Sequence, residues 1–120
     1  MDNRLSLPDN EFGQAAVCII INNTCNLTCN ECGTLQNHNF AGVMSWKEEK
    51  HLYEEWAKKA NFPDIDILGG EPYLNPELLD WALGIKTLWP ASRVSVVTNG
   101  TLLGLKKNVE ATRTFLEAGV

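Results

Sequence analysis

The stretch AAVCIIINNTCNLTCNECG, residues 15–33, places a strand-like segment directly before three clustered cysteines. Its first part, residues 15–21, is a short apolar run rich in β-branched side chains. Such a run is typical of a strand that is buried on both faces of a parallel sheet. Its second part spaces Cys25, Cys29 and Cys32 as C-x3-C-x2-C. Thiolates are soft ligands, and clustered cysteines suit zinc or an iron–sulfur centre.

The number of cysteines favours an iron–sulfur cluster with an open position. Structural zinc sites normally have four protein ligands, and iron–sulfur clusters usually take four cysteines. Three thiolates on a short loop would hold three corners of a cubane cluster and leave one iron open, which indicates chemistry rather than scaffolding. The alternative is structural zinc, with Cys18 or His38 as the fourth ligand. Cys18 lies inside the apolar run, where a free cysteine behaves as a small hydrophobic residue, so we expect it in the core.

Length and composition limit the class of protein. The 120 residues suffice for one modest domain, and 44% of them are apolar, as in an ordinary globular protein. No apolar run approaches the roughly 20 residues of a membrane-spanning helix, and the N-terminus lacks the pattern of a signal peptide. We therefore expect a cytoplasmic protein, in which reduced cysteines favour metal over disulfides. A net charge of −5 without a Lys/Arg cluster argues against a nucleic-acid partner.

The rest of the chain alternates between strand and helix patterns. Residues 1–14 are polar and are interpreted as a loose N-terminal arm, and residues 15–120 form one unit. Further strands are predicted at 64–68 and 93–97, and helices at 46–60, between Asn75 and Pro90, and near 103–118. The order βαβαβα predicts an α/β fold with a parallel sheet covered by helices and joined by right-handed crossovers.

The helix signals are specific enough to test. Ser45, with Glu48 three residues later, predicts a capping box at the start of the first helix. Gly119 is predicted to end the third helix as its C′ residue. The apolar positions assigned to one side of that third helix are Leu105, Val109, Thr112 and Leu116.

Each predicted strand runs into a loop with unusual chemistry. The cysteines follow the first strand, Gly69-Gly70-Glu71-Pro72 follows the second, and Thr98-Asn99-Gly100-Thr101 follows the third. In parallel α/β folds, ligands bind at the carboxyl ends of the strands. Glycines let the backbone approach a ligand, a carboxylate accepts hydrogen bonds from an ammonium group, and an asparagine offers both a donor and an acceptor. Alone, each of the two later motifs also fits an ordinary turn.

Taken together, these three motifs, in this order and at these intervals, resemble those of the radical S-adenosylmethionine (SAM) enzymes. The resemblance covers roughly residues 15–120. It implies a [4Fe–4S] cluster held by Cys25, Cys29 and Cys32, with SAM on the open iron. It also implies that Glu71 and the backbone of Gly69 and Gly70 hold the methionine ammonium group of SAM, with Pro72 in the same motif. Thr98 and Asn99 are implied to border the cofactor or the substrate.

The resemblance further implies an activity. In that family, a reduced cluster passes an electron to the sulfonium of SAM, and the C–S bond breaks to give methionine and a 5′-deoxyadenosyl radical that abstracts hydrogen from a substrate. The cofactor supplies this chemistry and the protein orients it. An electron donor such as flavodoxin or ferredoxin is implied as a partner. The motif set looks most like the branch that modifies peptides, nucleosides or small cofactor precursors.

The sequence departs from the family pattern in two respects. Glu31 stands just before the third cysteine, where the family usually has an aromatic residue near the adenine. The family core is a partial barrel of about six βα units, and this chain supplies three. We therefore expect the N-terminal half of a partial barrel, with a second chain as a candidate for the remainder. The alternative functions are a non-catalytic iron–sulfur or zinc module, or half of a split enzyme that needs a partner chain.

Overall fold

The computed structural model describes residues 4–6, 16–23 and 42–120. The strands and helices follow the predicted βαβαβα order, with two additional short strands. No helix in the described ranges is both long enough and apolar enough to cross a membrane. The elements are β1 (Leu5–Ser6), β2 (Ala16–Ile20), α1 (Trp46–Lys59), β3 (Ala60–Asn61), β4 (Asp64–Leu68), a 3-10 turn (Pro72–Leu74), α2 (Leu78–Leu88), β5 (Arg93–Val96) and α3 (Lys106–Glu117).

Three of the strands form the predicted parallel sheet, in the order β2-β4-β5. The register pairs Val17 with Ile65, and Ile65 with Val94. Each successive strand is added on the same side of the sheet, so right-handed crossovers carry the connecting helices to one face. On that face α1 contacts α2, and α2 contacts α3. The α/β fold class is therefore confirmed.

The two faces of this sheet differ in burial. Ile19, Ile65 and Ile67 are buried under the helices, whereas Cys18 on the opposite face is exposed. Ile20 on that same face is 39% exposed. The expectations that the first strand is buried on both faces and that Cys18 lies in the core are both wrong. Successive side chains of a strand alternate between faces, and in the described chain the helices cover only one of them.

An aromatic cluster joins α1 to α2. The Trp46 and Trp81 rings pack edge to face with centroids 5.1 Å apart, and Tyr53 packs against Trp81 at 5.4 Å. Gly84 of α2 makes room for Trp46, because a Cβ atom there would overlap the indole ring. The pKa of Tyr53 is raised, mainly by burial and secondarily by the negative charge of Glu49. Large rings with this geometry contribute more than their buried area alone.

The helix ends match the sequence signals only in part. Ser45 is the N-cap of α1, but its side chain makes no capping hydrogen bond, so the predicted capping box is wrong. Gly119 lies just beyond α3 with a φ of 95°, a left-handed conformation that favours glycine, and its predicted role as the C′ residue is confirmed.

The buried side of α3 is not the predicted one. Leu105, Val109 and Leu116 are 49%, 41% and 60% exposed, whereas Phe115 and the polar Asn108 are buried. The Asn108 side chain donates a 2.7 Å hydrogen bond to the Leu102 carbonyl. A partner of this kind lets a polar side chain occupy a buried position, so the apolar pattern alone selected the wrong face.

The described part of the N-terminal arm is not loose. Leu5 and Ser6 pair in parallel with Ala60 and Asn61, so that β1 and β3 form a small second sheet. These two residues of the arm therefore lie beside the segment that follows α1.

Candidate functional site

The three main strands end at a common edge of the sheet. In the parallel register, Ile20 lies beside Leu68, and Ile67 lies beside Val96. The segments that follow these strand ends are tied together by hydrogen bonds between described residues. This edge therefore brings together the two later motifs and the residues that immediately precede the cysteines, as the sequence predicts.

Glu71 is the centre of these hydrogen bonds. Its side chain is fully buried. Oε1 accepts from the Tyr73 amide at 3.1 Å and from the Thr98 hydroxyl at 2.6 Å. Oε2 accepts from the Asn99 amide at 2.8 Å. Hydrogen bonds to an ionised acceptor are stronger than neutral ones, so this carboxylate ties the end of β4 firmly to the turn after β5.

Asn22 ties the end of β2 to the same point. Its side-chain amide donates to the Glu71 carbonyl at 3.0 Å, and its own carbonyl accepts from the Gly70 amide at 2.8 Å. Gly69 lies against Asn22 so closely that a Cβ atom on Gly69 would come within 2.6 Å of the Asn22 carbonyl oxygen. The absence of a side chain at Gly69 is thus explained by the approach of a neighbouring strand end.

The chain leaves and re-enters the described structure at this edge through a neck, which we define as residues 21–23 together with 42–44. The Asn23 amide donates to the Gly42 carbonyl, and the Met44 amide donates to the Ile21 carbonyl, both at 2.8 Å. Asn22 and Val43 form an antiparallel bridge between these two bonds. Residues 24–41 are consequently joined at both ends to the strand-end edge.

Asn75 holds both sides of the neck. Its buried side-chain amide donates to the Ile21 carbonyl at 3.0 Å and to the Met44 carbonyl at 3.1 Å. The Trp81 indole N–H donates to the same Met44 carbonyl at 3.0 Å. The side-chain oxygen of Asn75 accepts from the Glu77 amide at 2.9 Å. One side chain therefore satisfies two neck carbonyls and also the turn that leads into α2.

The predicted metal ligands Cys25, Cys29 and Cys32 lie outside the described residues, as does His38. Among residues 4–6, 16–23 and 42–120, no group of three or more His, Cys, Asp or Glu side chains is placed to hold a metal ion. Cys18 lies in the middle of β2, about 10 Å along the strand from Ile21 at the neck. The assignment of the cysteines as ligands stays a prediction.

Two residues of this edge were missed as site residues. Asn22 reads as one polar residue of an Asn-Asn pair after a strand, and Asn75 reads as an ordinary helix cap. The signal available in the sequence was weak: Asn22 directly follows the apolar run of the first strand, and Asn75 stands three residues after Pro72. Asn75 does stand ahead of α2, but the helix begins at Leu78 rather than directly after it.

An open cavity of 320 Å³ lies beside the outer edge of β5. It is lined by Ser95 and Thr98 of the strand and its turn, and by Thr112 and Leu116 of α3. The hydroxyl of Tyr73 forms a hydrogen bond with the Thr112 hydroxyl beside this cavity. The edge strand and the helix that follows it therefore leave a groove next to the site.

The comparisons with known proteins agree with this architecture. The family model of the radical SAM superfamily matches residues 19–120. The crystal structure of BtrN in complex with AdoMet and 2-DOIA superposes with a TM-score of 0.63 and 21% sequence identity. The superposition covers 94% of this chain and 44% of BtrN, so the chain spans less than half of that protein's length.

A search of curated protein sequences finds no match. At 21% identity the structural likeness establishes the shared fold, and the family model covers most of the sequence, including both later motifs. The chain therefore belongs to the radical SAM superfamily.

Proposed function

We propose that this chain binds a [4Fe–4S] cluster through Cys25, Cys29 and Cys32 and binds SAM at the C-terminal edge of its sheet. The observation that carries the proposal is the meeting of three strand ends at Glu71. The neck joins the cysteine-bearing segment to that same edge, because Asn22 contacts both Glu71 and Gly70. Membership of a SAM-dependent radical enzyme family supports this use of the edge.

The donor set fits the group that the family implies. Three thiolates suit iron, and fewer than four leave an iron open for a ligand that is not protein. Cys18 is separated from the neck along β2 and faces away from the helices, which supports three cysteine ligands rather than four. When bound and reduced, the cluster supplies the electron that cleaves SAM to methionine and a 5′-deoxyadenosyl radical, which then takes a hydrogen atom from the substrate. We infer an electron donor such as flavodoxin or ferredoxin as a partner.

The residues proposed to border SAM come from the two later motifs. Gly69, Gly70, Glu71 and Pro72 form the connection from β4 to the 3-10 turn, and Thr98 and Asn99 form the turn after β5. The hydrogen bonds from Thr98 and Asn99 to Glu71 hold the two segments side by side. BtrN, which shares the fold, is a complex with AdoMet, and this supports SAM as the ligand.

The chain is proposed to need further βα units for turnover. The sheet face opposite the helices carries exposed Cys18 and half-exposed Val97, and the groove beside β5 is open. An unpaired edge strand is a liability unless another strand covers it. A second chain that adds strands beside β5 would close the barrel that the family fold uses.

The test is anaerobic reconstitution with iron and sulfide, followed by electron paramagnetic resonance of the reduced protein with and without SAM. A [4Fe–4S]⁺ signal that changes on adding SAM is the expected result. A cluster signal that ignores SAM would leave an iron–sulfur module without the proposed SAM site. Stoichiometric zinc with no cluster would refute the proposal, and a matched sample of Cys25→Ala protein provides the blank.

A further inference from the structure

The Glu71 carboxylate already accepts three hydrogen bonds from the protein itself. Two of its three hydrogen-bond donors, the Thr98 hydroxyl at 2.6 Å and the Asn99 amide at 2.8 Å, belong to the turn after β5. The third is the Tyr73 amide. A buried carboxylate needs such donors, since an unsatisfied buried charge is costly. The geometry therefore gives this side chain a role inside the protein before any ligand binds.

The turn after β5 is built around those two hydrogen bonds. The Thr98 oxygen accepts from the Gly100 amide at 3.1 Å, so its single proton is directed to Glu71. The Asn99 side-chain oxygen accepts from the Thr101 amide at 3.0 Å and from the Thr101 hydroxyl at 2.8 Å. Gly100 adopts a φ of 81°, which favours glycine. Thr98 and Asn99 thus couple the turn's conformation to the carboxylate.

We propose that the Glu71 side chain is a positioning residue that acts through Thr98 and Asn99, rather than a direct ligand of the SAM amino group. It holds the turn after β5 at a fixed distance from the end of β4, and the spacing between these two segments sets the width of the SAM site. This inference rests on the proposed function, because it assumes that SAM binds between the two segments.

The first test uses the protein without cluster or SAM. Amide hydrogen exchange at Asn99 reports directly on the hydrogen bond to Glu71. We expect Glu71→Gln to accelerate this exchange at least tenfold, and Thr98→Val, which conserves side-chain shape, to accelerate it by a smaller factor. Glu117→Gln, which changes an exposed carboxylate on α3, is the control and should leave it unchanged. Unchanged exchange at Asn99 in Glu71→Gln would overturn the proposal.

The second test compares two ligands of the cluster-loaded protein: SAM and an S-adenosyl analogue that lacks the α-amino group. A positioning role predicts that each variant, Glu71→Gln or Thr98→Val, weakens the binding of SAM and of the analogue by the same factor. It also predicts that the double variant binds no more weakly than Glu71→Gln, because both changes release the same turn. A loss confined to SAM in Glu71→Gln, with normal binding of the analogue, would show direct contact with the amino group and overturn the proposal.

These results separate the two proposals. A wild-type protein that carries the cluster but binds neither ligand would refute the proposed function. The exchange rate of the Asn99 amide would then still decide whether Glu71 holds the turn, because that measurement needs neither cluster nor ligand.

Discussion

Gly84 of α2 and Trp46 of α1 pack so closely that a Cβ atom on Gly84 would lie 2.8 Å from Cη2 of the indole and would overlap its Cζ2 and Cε2 atoms. The close approach lets Trp46 reach Trp81 and pack edge to face against it. The aromatic cluster that joins the two helices therefore depends on a missing side chain.

Replacing Gly84 by alanine is expected to destabilise the protein, although alanine is the better helix former by about 1 kcal/mol. Overpacking a core contact costs about 1–3 kcal/mol, because the indole has to move. Urea denaturation followed by tryptophan fluorescence measures the change. Gly104→Ala is the control, since in the described part of the chain nothing lies within 4 Å of a Cβ atom at Gly104. A Gly84→Ala protein more stable than wild type would contradict the packing.

Gly69→Ala is expected to displace Asn22 and to loosen the neck. The added methyl group would meet the Asn22 carbonyl, which accepts the Gly70 hydrogen bond. We expect a loss of about 1–3 kcal/mol in the free energy of unfolding, together with a lower iron content after reconstitution. Gly42→Ala, in the other half of the neck, is the matched control because a Cβ atom at Gly42 meets no described residue within 4 Å. Equal behaviour of the two variants would be inconsistent with the contact.

Asn75→Ala is expected to cost about 1–3 kcal/mol, because it removes the hydrogen bonds to the Ile21 and Met44 carbonyls and the one from the Glu77 amide. Asn75→Asp should cost at least as much. It keeps the oxygen that accepts from the Glu77 amide, but it turns a carboxylate toward the carbonyls of Ile21 and Met44. Denaturant unfolding measures the loss, and the rate of iron removal by a chelator reports on the neck. Thr87→Val, which removes an exposed hydrogen bond to Leu83, should change neither quantity.

The two sides of α3 should respond differently to truncation. Phe115 is 3% exposed and Leu116 is 60% exposed. Phe115→Ala is expected to lower the free energy of unfolding by about 3 kcal/mol or more, and Leu116→Ala to stay within about 0.5 kcal/mol of wild type. Thermal unfolding of the two variants side by side checks this. A larger effect at Leu116 would show that α3 buries the face predicted from the sequence.

Each of Cys25→Ala, Cys29→Ala and Cys32→Ala is expected to abolish the iron–sulfur cluster, because each removes one of three proposed thiolate ligands. Cys18→Ala should retain the cluster, since Cys18 lies in mid-strand on the face opposite the helices. Iron and acid-labile sulfide after reconstitution, with the visible absorbance, are the measurements. Loss of the cluster in Cys18→Ala would indicate four-thiolate ligation and remove the basis for an open iron.

The parallel sheet was predictable because strand-like segments alternate with helix-like segments along the chain. The buried face of α3 was not, because two faces of that helix carry apolar residues. The choice depended on the tertiary contacts of Phe115 and on the carbonyl that accepts from Asn108. Likewise, the one-sided covering of the sheet follows from the addition of each strand on the same side, which the pattern of a single strand does not reveal.

The location of the candidate site was predictable from the sequence. The motifs after β4 and β5 do meet at one edge, since parallel strands bring their carboxyl ends together. Its internal hydrogen bonds were not predictable, because the sequence does not state which donors reach Glu71. The structural roles of Asn22 and Asn75 depend on contacts between segments 49 and 54 residues apart. No local pattern records such contacts.

The neck has a consequence for how the chain can vary. The hydrogen bonds between residues 21–23 and 42–44, and the Asn75 amide that spans them, hold the two flanks of residues 24–41 side by side. The entropic cost of closing a flexible loop grows only with the logarithm of its length, by about 0.6 kcal/mol for each doubling. Insertions and deletions in residues 24–41 that spare the cysteines should therefore change overall stability little.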